Sequence, residues 1–426
     1  MEPSALRLPP GVRDFLPRAA ARRRELAERL LTVFEAWGYA RIITPAYECA
    51  DVLERGLGAD ARAAAIRFVE PASGEVVALR PDITPQIARV VASRMPELPG
   101  PVRLCYEGAV TRLVAGVGQR EILQAGIELV DLAEPYGDAE VIAVVAASLA
   151  AVGLPERHLD LGHVAPVEAV LAAAPAEDVR HELRTALGRK DRRGVARHAA
   201  ALPPAERALA DALVDLWGPA GEVLARAKRL PWPAPARRAL DDLERVIATY
   251  RAIAGDDALG DDALGVDLGD LRGFGYYTGM RLAGYVGGAP EAVILGGRYD
   301  SLLARYGRAA TATGFSIDIE AVALAQRALG VPVARRGIAV ALLGAPDATA
   351  ALARALRAAG ARVSTAPASE QPAAYLRGAG LDVAVVAAGD ALAWPDETST
   401  PAAAELAQAI AGDAQPLLTL ISARAP

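Results

Sequence analysis

A chain of 426 residues is long enough for two or three domains with a sizeable core. With 53% hydrophobic and 23% charged residues, and no apolar run near the ~18 residues a bilayer crossing needs, the sequence excludes a disordered chain and a helical membrane span. A net charge of −6 gives no support to nucleic-acid binding, and the two isolated cysteines, Cys49 and Cys105, exclude a disulfide framework. No secretion signal is visible, so the expectation is a cytoplasmic protein with free thiols.

Leu26, Leu30, Val33, Phe34 and Trp37 recur at helical spacing over 18–37. Gly38 stops that helix, and 39–44 reads as a strand ended by Pro45. The apolar runs 66–70 and 75–79 flank Pro71-Ala72-Ser73-Gly74, a hairpin signal. Helical spacing returns over 84–94, and 101–112 and 120–131 read as two longer antiparallel strands around a Gly-rich loop. From about 153 to 255 strand signals mostly vanish, and helix formers with Pro-rich breaks predict a helical insertion. His158, His163, His181 and His198 all lie there without metal-ligand spacing, which predicts surface or capping roles. The basic run at 189–193 is interrupted by Asp191 and reads as a solvated helix end. The tandem Asp-Asp-Ala-Leu-Gly over 256–265 marks a flexible approach to the next strand.

Residues 263–320 are strand-rich again, with 291–295 and 313–318 as candidate central strands, and 332–337 reads as a linker. Beyond it, 338–343, a helix over 346–359, 362–365 and 383–386 alternate as in a small parallel α/β unit. The predicted fold class is therefore α+β. An antiparallel core over 1–330 carries the insertion, and an α/β domain follows over 337–426.

Four segments carry chemistry. In Leu79-Arg80-Pro81-Asp82-Ile83-Thr84, a carboxylate and a hydroxyl two residues apart at a strand-to-helix turn can both reach one ligand ammonium. The same residues could instead cap the helix. In the second, Leu104 to Arg112 and Arg120 to Glu128 form a strand pair, and two-residue periodicity lets Gln124 and Glu128 point into one pocket. The third is Leu271-Arg272-Gly273-Phe274-Gly275-Tyr276-Tyr277-Thr278-Gly279 with Gly296-Gly297-Arg298-Tyr299-Asp300, Gly-rich aromatic strands. The fourth, Gly314-Phe315-Ser316-Ile317-Asp318-Ile319-Glu320-Ala321, runs a strand into a helix.

In order and spacing these segments resemble the signature motifs of class II aminoacyl-tRNA synthetases over roughly residues 8–330, and the first and third resemble histidyl-tRNA synthetases in particular. The resemblance implies a class II synthetase-like antiparallel sheet with flanking helices. It implies that Asp82 and Thr84 hold a substrate α-amino group, and that Arg112 meets the α-phosphate and the carboxylate. Gln124 and Glu128 would contact bound histidine, Arg272 would assist carboxylate activation, and Tyr276 and Tyr277 would line an imidazole pocket.

Three departures fall on ATP chemistry or pocket wiring. Val114 stands where an acid reads adenine, Gly275 replaces an aspartate, and Ala321 takes the slot of the arginine that holds the triphosphate. Loss of one such charge-assisted contact removes about 1.5–3 kcal/mol. A retained amino-acid pocket beside a degraded nucleotide site is similar to the family of regulatory subunits of ATP phosphoribosyltransferase.

That family implies a non-catalytic partner of the short-form catalytic subunit, conferring activity and L-histidine feedback on the first step of histidine biosynthesis. It further implies a homodimeric scaffold, no cofactor, no metal, no tRNA and no membrane. The 337–426 domain then reads as a degenerate anticodon-binding remnant. An active histidyl-tRNA synthetase and an amino-acid ligase with another acceptor are the alternatives, and both require ATP.

Overall fold

The computed structural model describes residues 7–113, 119–255, 258–271, 275–332, 338–367, 383–388, 391–393, 415 and 418–419. The chain divides into two compact units, Met1–Val333 and Ala334–Pro426. In the first, the apolar stripe over 18–37 becomes the helix Pro17–Ala36, whose Leu26, Leu30 and Phe34 are buried. The strands described there are β1 (Ala40–Arg41), β2 (Tyr47–Cys49), β3 (Arg67–Val69), β4 (Val76–Leu79), β5 (Val102–Thr111) and β6 (Glu121–Val130). They continue with β7 (His158–His163), β8 (Trp217–Pro219), β9 (Leu264–Asp267), β10 (Met280–Tyr285), β11 (Ile294–Arg298) and β12 (Ala312–Asp318). A large sheet runs in the order β1-β5-β6-β12-β11-β10-β7-β9-β8, and β2-β4-β3 form a small one.

The hairpin expected around 71–74 is present, with β3 antiparallel to β4. The long pair is also present, its ladder running from Val102↔Val130 to Thr111↔Glu121. Two expectations need correction. Of 39–44, only Ala40 and Arg41 join the ladder, parallel to β5; Ile42 adds one bond to the Cys105 carbonyl before the chain leaves the sheet ahead of Pro45. The stretch 153–255 is helical for most of its length but also contributes β7 and β8. Strand β7 lies inside the large sheet, paired with β10 from His163↔Met280 to His158↔Tyr285 and with β9 on its other side. Its alternation is only two leucines long, Leu159 and Leu161, too short a period to stand out among helix formers.

Alternation along β5 and β6 separates two cores. Cys105, Ala125, Ile127 and Leu129 face one, with the helices Pro17–Ala36, Tyr136–Ala151 and Ile319–Ala328. Tyr136–Ala151 is apolar nearly all round and is buried accordingly. Val102, Leu104, Tyr106 and Val110 face the other, with the helix Thr84–Arg94, Tyr276 and Tyr299. The candidate site lies on this second face.

In the unit Ala334–Pro426, β13 (Ala339–Leu343) pairs in parallel with β14 (Arg362–Ala366) and β15 (Val383–Ala388), and β16 (Ala391–Ala393) closes the edge antiparallel. The helix Pro346–Ala358 packs Leu352 and Leu356 onto Val340, Leu342 and Val385. Among the described residues no helix is long and apolar enough to cross a membrane.

Candidate functional site

Two glycines in neighbouring strands open the floor of the site. A Cβ on Gly126 would overlap the Tyr106 ring and hydroxyl and the Phe315 carbonyl, and one on Gly314 would overlap the Glu128 carboxylate and the Ile127 carbonyl. Gly314 sits directly opposite Glu128 in the β6–β12 ladder. The absence of those two side chains lets Tyr106 and Glu128 lie across the sheet face.

Glu128, 1% exposed, takes the Thr84 hydroxyl on Oε1 at 2.5 Å and the Tyr299 hydroxyl on Oε2. Asp82, equally buried, accepts the Thr84 backbone N–H at 3.2 Å and the Tyr276 hydroxyl at 2.7 Å. One oxygen of Asp82 thus holds the turn into the helix, and the other is met by the Tyr276 hydroxyl. Tyr276 packs edge-on against Tyr277 and Tyr299, with ring centroids 5.2 and 5.6 Å away. The Arg281 guanidinium lies 5.7 Å from the Tyr277 ring and donates to the Asp270 carbonyl.

Burial pushes the Glu128 carboxyl up to about 8, opposed by the Thr84 and Tyr299 hydrogen bonds and reinforced by the charge of Asp82. Burial also raises Asp82, against the pull of Arg112 and of its own donors. Tyr276 and Tyr299 are pushed well up by burial and by the adjacent carboxylates, so they stay protonated and donate.

The fold thus brings Asp82, Thr84, Glu128, Tyr276 and Tyr277 to one place. Arg112 anchors the rim by donating Nε to the Pro81 carbonyl at 2.6 Å. Gln124 is 6% exposed, and its Oε1 has no hydrogen-bond partner among the described residues. Arg272 and Val114 lie outside the described residues. Ala321 stands in the first turn of Ile319–Ala328, where its N–H donates to Asp318 Oδ1 at 2.9 Å.

The space between Thr84, Tyr276, Tyr277, Tyr299 and the strand 314–316 is ≈ 10 Å³, room for about one water. The protein's own hydroxyls occupy the acceptors of Asp82 and Glu128.

Sequence reasoning passed over Tyr299, although it lies inside one of the quoted motifs. It also passed over Arg298, which is fully buried and donates to Asp138 at 2.9 Å and to Asp300 at 3.0 Å, with its methylenes filling the space left by Gly279. The one available signal was Asp138, an acid near the start of an otherwise apolar helix, which calls for a buried partner. Of the four histidines, His163 takes the capping role: its Nδ1 accepts the Ala165 N–H at the start of Val164–Leu171.

A family model described as histidyl-tRNA synthetase matches residues 11–322. A Geobacter sulfurreducens ATP phosphoribosyltransferase regulatory subunit is 42% identical over 74% of this chain and 72% of its own length. The Anaeromyxobacter dehalogenans (strain 2CP-1) protein of the same name is 45% identical over 74% of this chain and 90% of its own. Among solved structures, an ATP phosphoribosyltransferase regulatory subunit/histidyl-tRNA synthetase from Bacillus halodurans superposes with a TM-score of 0.77 at 26% identity, covering 91% of this chain and 100% of its own. A Nostoc histidyl-tRNA synthetase superposes with a TM-score of 0.74 at 22% identity over 95% of this chain and 99% of its own, a likeness of fold. Family model and relatives converge, and the chain belongs to the ATP phosphoribosyltransferase regulatory subunit family, built on a histidyl-tRNA synthetase fold.

Proposed function

We propose that the chain is the non-catalytic regulatory subunit of a cytoplasmic ATP phosphoribosyltransferase. It holds a short catalytic subunit in an active arrangement and relays histidine feedback on the first step of histidine biosynthesis. The observation that carries the reading is Ala321, which leaves the first turn of its helix without a basic side chain. Adenylation needs positioned positive charge on a triphosphate, and an alanine methyl supplies none.

Free histidine is the proposed ligand of Asp82, Thr84, Arg112, Gln124, Glu128, Tyr276 and Tyr277. Its ammonium or imidazole would displace the tyrosine hydroxyls now seated on Asp82 and Glu128. Entry therefore requires the Tyr276–Tyr277 segment and Tyr299 to give way. Feedback follows only if histidine binds the less active state of the complex more tightly, because equal affinity shifts no equilibrium. A homodimeric scaffold and a vestigial role for the unit Ala334–Pro426 belong to the same proposal.

The test mixes the purified chain with its cognate short-form catalytic subunit. Co-elution in size-exclusion chromatography, changed phosphoribosyltransferase activity and acquired histidine sensitivity are expected. Calorimetric histidine binding should weaken in Glu128→Ala and Tyr277→Ala. Failure of the two chains to co-elute or to respond kinetically overturns the assignment, and histidine-dependent pyrophosphate exchange into ATP by this chain alone would establish the synthetase alternative.

A further inference from the structure

The start of the helix Ile319–Ala328 carries two carboxylates where the fold would otherwise offer a nucleotide its N-terminal amides. Asp318 ends β12, faces Gln124 across the ladder and accepts the Ala321 N–H on Oδ1 at 2.9 Å. Glu320, 3% exposed, is clamped by both donors of Arg23 and by Arg13 at 2.9 Å. Arg13 also donates to Gln119 at 3.0 Å, and the Gly11 carbonyl takes the Arg120 N–H at 2.9 Å. The N-terminal segment is thereby tied to both the β5–β6 hairpin and the helix start. Its Phe15 ring lies 3.7 Å from the Arg23 guanidinium, which packs the segment onto the cation that holds Glu320. Asp318 lies on the strand face that carries Gln124 and Glu128, and burial raises its carboxyl against the Ala321 and Glu320 backbone N–H groups and, more weakly, the charge of Arg112.

Helix N-termini attract anions through their free N–H groups and dipole. Here that position already holds an anion covalently part of the chain. Asp82 and Glu128 are acceptors, the buried Gln124 Oε1 lacks a donor among the described residues, and Arg112 is the cation beside them. These acceptors suit a ligand rich in N–H donors.

We infer that Asp318 is a built-in substitute for a nucleotide phosphate, a specificity-determining residue that closes this cleft to phosphorylated ligands and leaves it to a donor-rich amino acid. The inference deepens the proposed histidine pocket and rests on that reading for the identity of the accepted ligand. The exclusion of phosphate rests on Asp318 alone. Unscreened Coulomb repulsion between two unit charges about 4 Å apart near a protein surface corresponds to roughly a thousandfold in affinity, of which salt and the Arg112 charge leave a part.

Asp318→Asn removes the charge and keeps a side chain that caps equally well. Asp318→Gly also frees the Ala321 amide. Inorganic pyrophosphate and, separately, L-histidine are titrated calorimetrically into wild type and both variants. Wild type is expected to give no pyrophosphate binding, Asp318→Asn a gain of about tenfold or more, and Asp318→Gly a gain at least as large. The gain should vanish in Asp318→Asn/Arg112→Ala, which separates this cleft from arginines elsewhere on the surface. Pyrophosphate binding by wild type equal to that of the variants overturns the inference, as does a folded Asp318→Asn with wild-type melting temperature that still ignores pyrophosphate. Absence of histidine binding in wild type, together with the pyrophosphate gain, would sink the histidine pocket while leaving the role of Asp318 intact.

Discussion

Replacing Glu128 by glutamine removes one titratable proton from the centre of the site and keeps a side chain of the same length. In the folded protein burial holds the Glu128 carboxyl at about 8, against an ordinary 4.5. A raised value means the folded state binds the proton more tightly than the unfolded one. The stabilising contribution is therefore complete below pH 4.5 and is lost as pH rises through about 8. Across that window this one group should lower the unfolding free energy by up to about 1.4 kcal/mol per pH unit, a few kcal/mol in all.

Glu128→Gln is neutral at every pH and lacks that slope. Its amide NH2 faces a hydroxyl that now donates to a carboxyl oxygen, a mismatch worth about 1 kcal/mol. The variant should be slightly less stable than wild type near pH 5 and more stable above about pH 8, so the two stability profiles cross. Urea unfolding followed by far-ultraviolet circular dichroism, repeated in steps from about pH 5 to about pH 9, measures both profiles. Parallel curves with equal pH slope would refute the reasoning.

Two further outcomes follow from the same geometry. Gly314→Ala drives a methyl group into the Glu128 carboxylate and the Ile127 carbonyl, and should cost about 1–3 kcal/mol together with any histidine binding; an unchanged melting temperature counts against the packing described. Burial lowers His163 from 6.5 to about 4, so its stabilising contribution is present above 6.5 and is lost as pH falls through about 4. His163→Asn keeps an N-cap and should flatten that acid-side slope, whereas thermal unfolding that varies with pH as in wild type would place the titration elsewhere.

Most of the frame was legible without coordinates. The helices over 18–37, 84–94 and 346–359, the 71–74 hairpin and the long pair β5–β6 follow from local periodicity and turn residues, which act over a few neighbours along the chain. So do the pairing of Gln124 with Glu128 on one strand face and the loss of the arginine at 321, a matter of residue identity alone. What lay beyond local signal depends on distant partners. Strand β7 reads as part of a helical stretch because its two-leucine alternation gains meaning only between β10 and β9. Tyr299 and Tyr276 reach Glu128 and Asp82 across more than 170 residues of sequence, and no spacing rule connects them. The same holds for Arg298 and Asp138, and for Arg13 and Arg23 on Glu320. Residue types along the chain carried the resemblance to the histidyl-tRNA synthetase motifs and placed alanine at 321. Only the tertiary structure decided that Asp82 and Glu128 are met by the protein's own tyrosines and that Asp318 takes the Ala321 N–H at the helix start, because hydrogen bonds and burial are set by proximity in space.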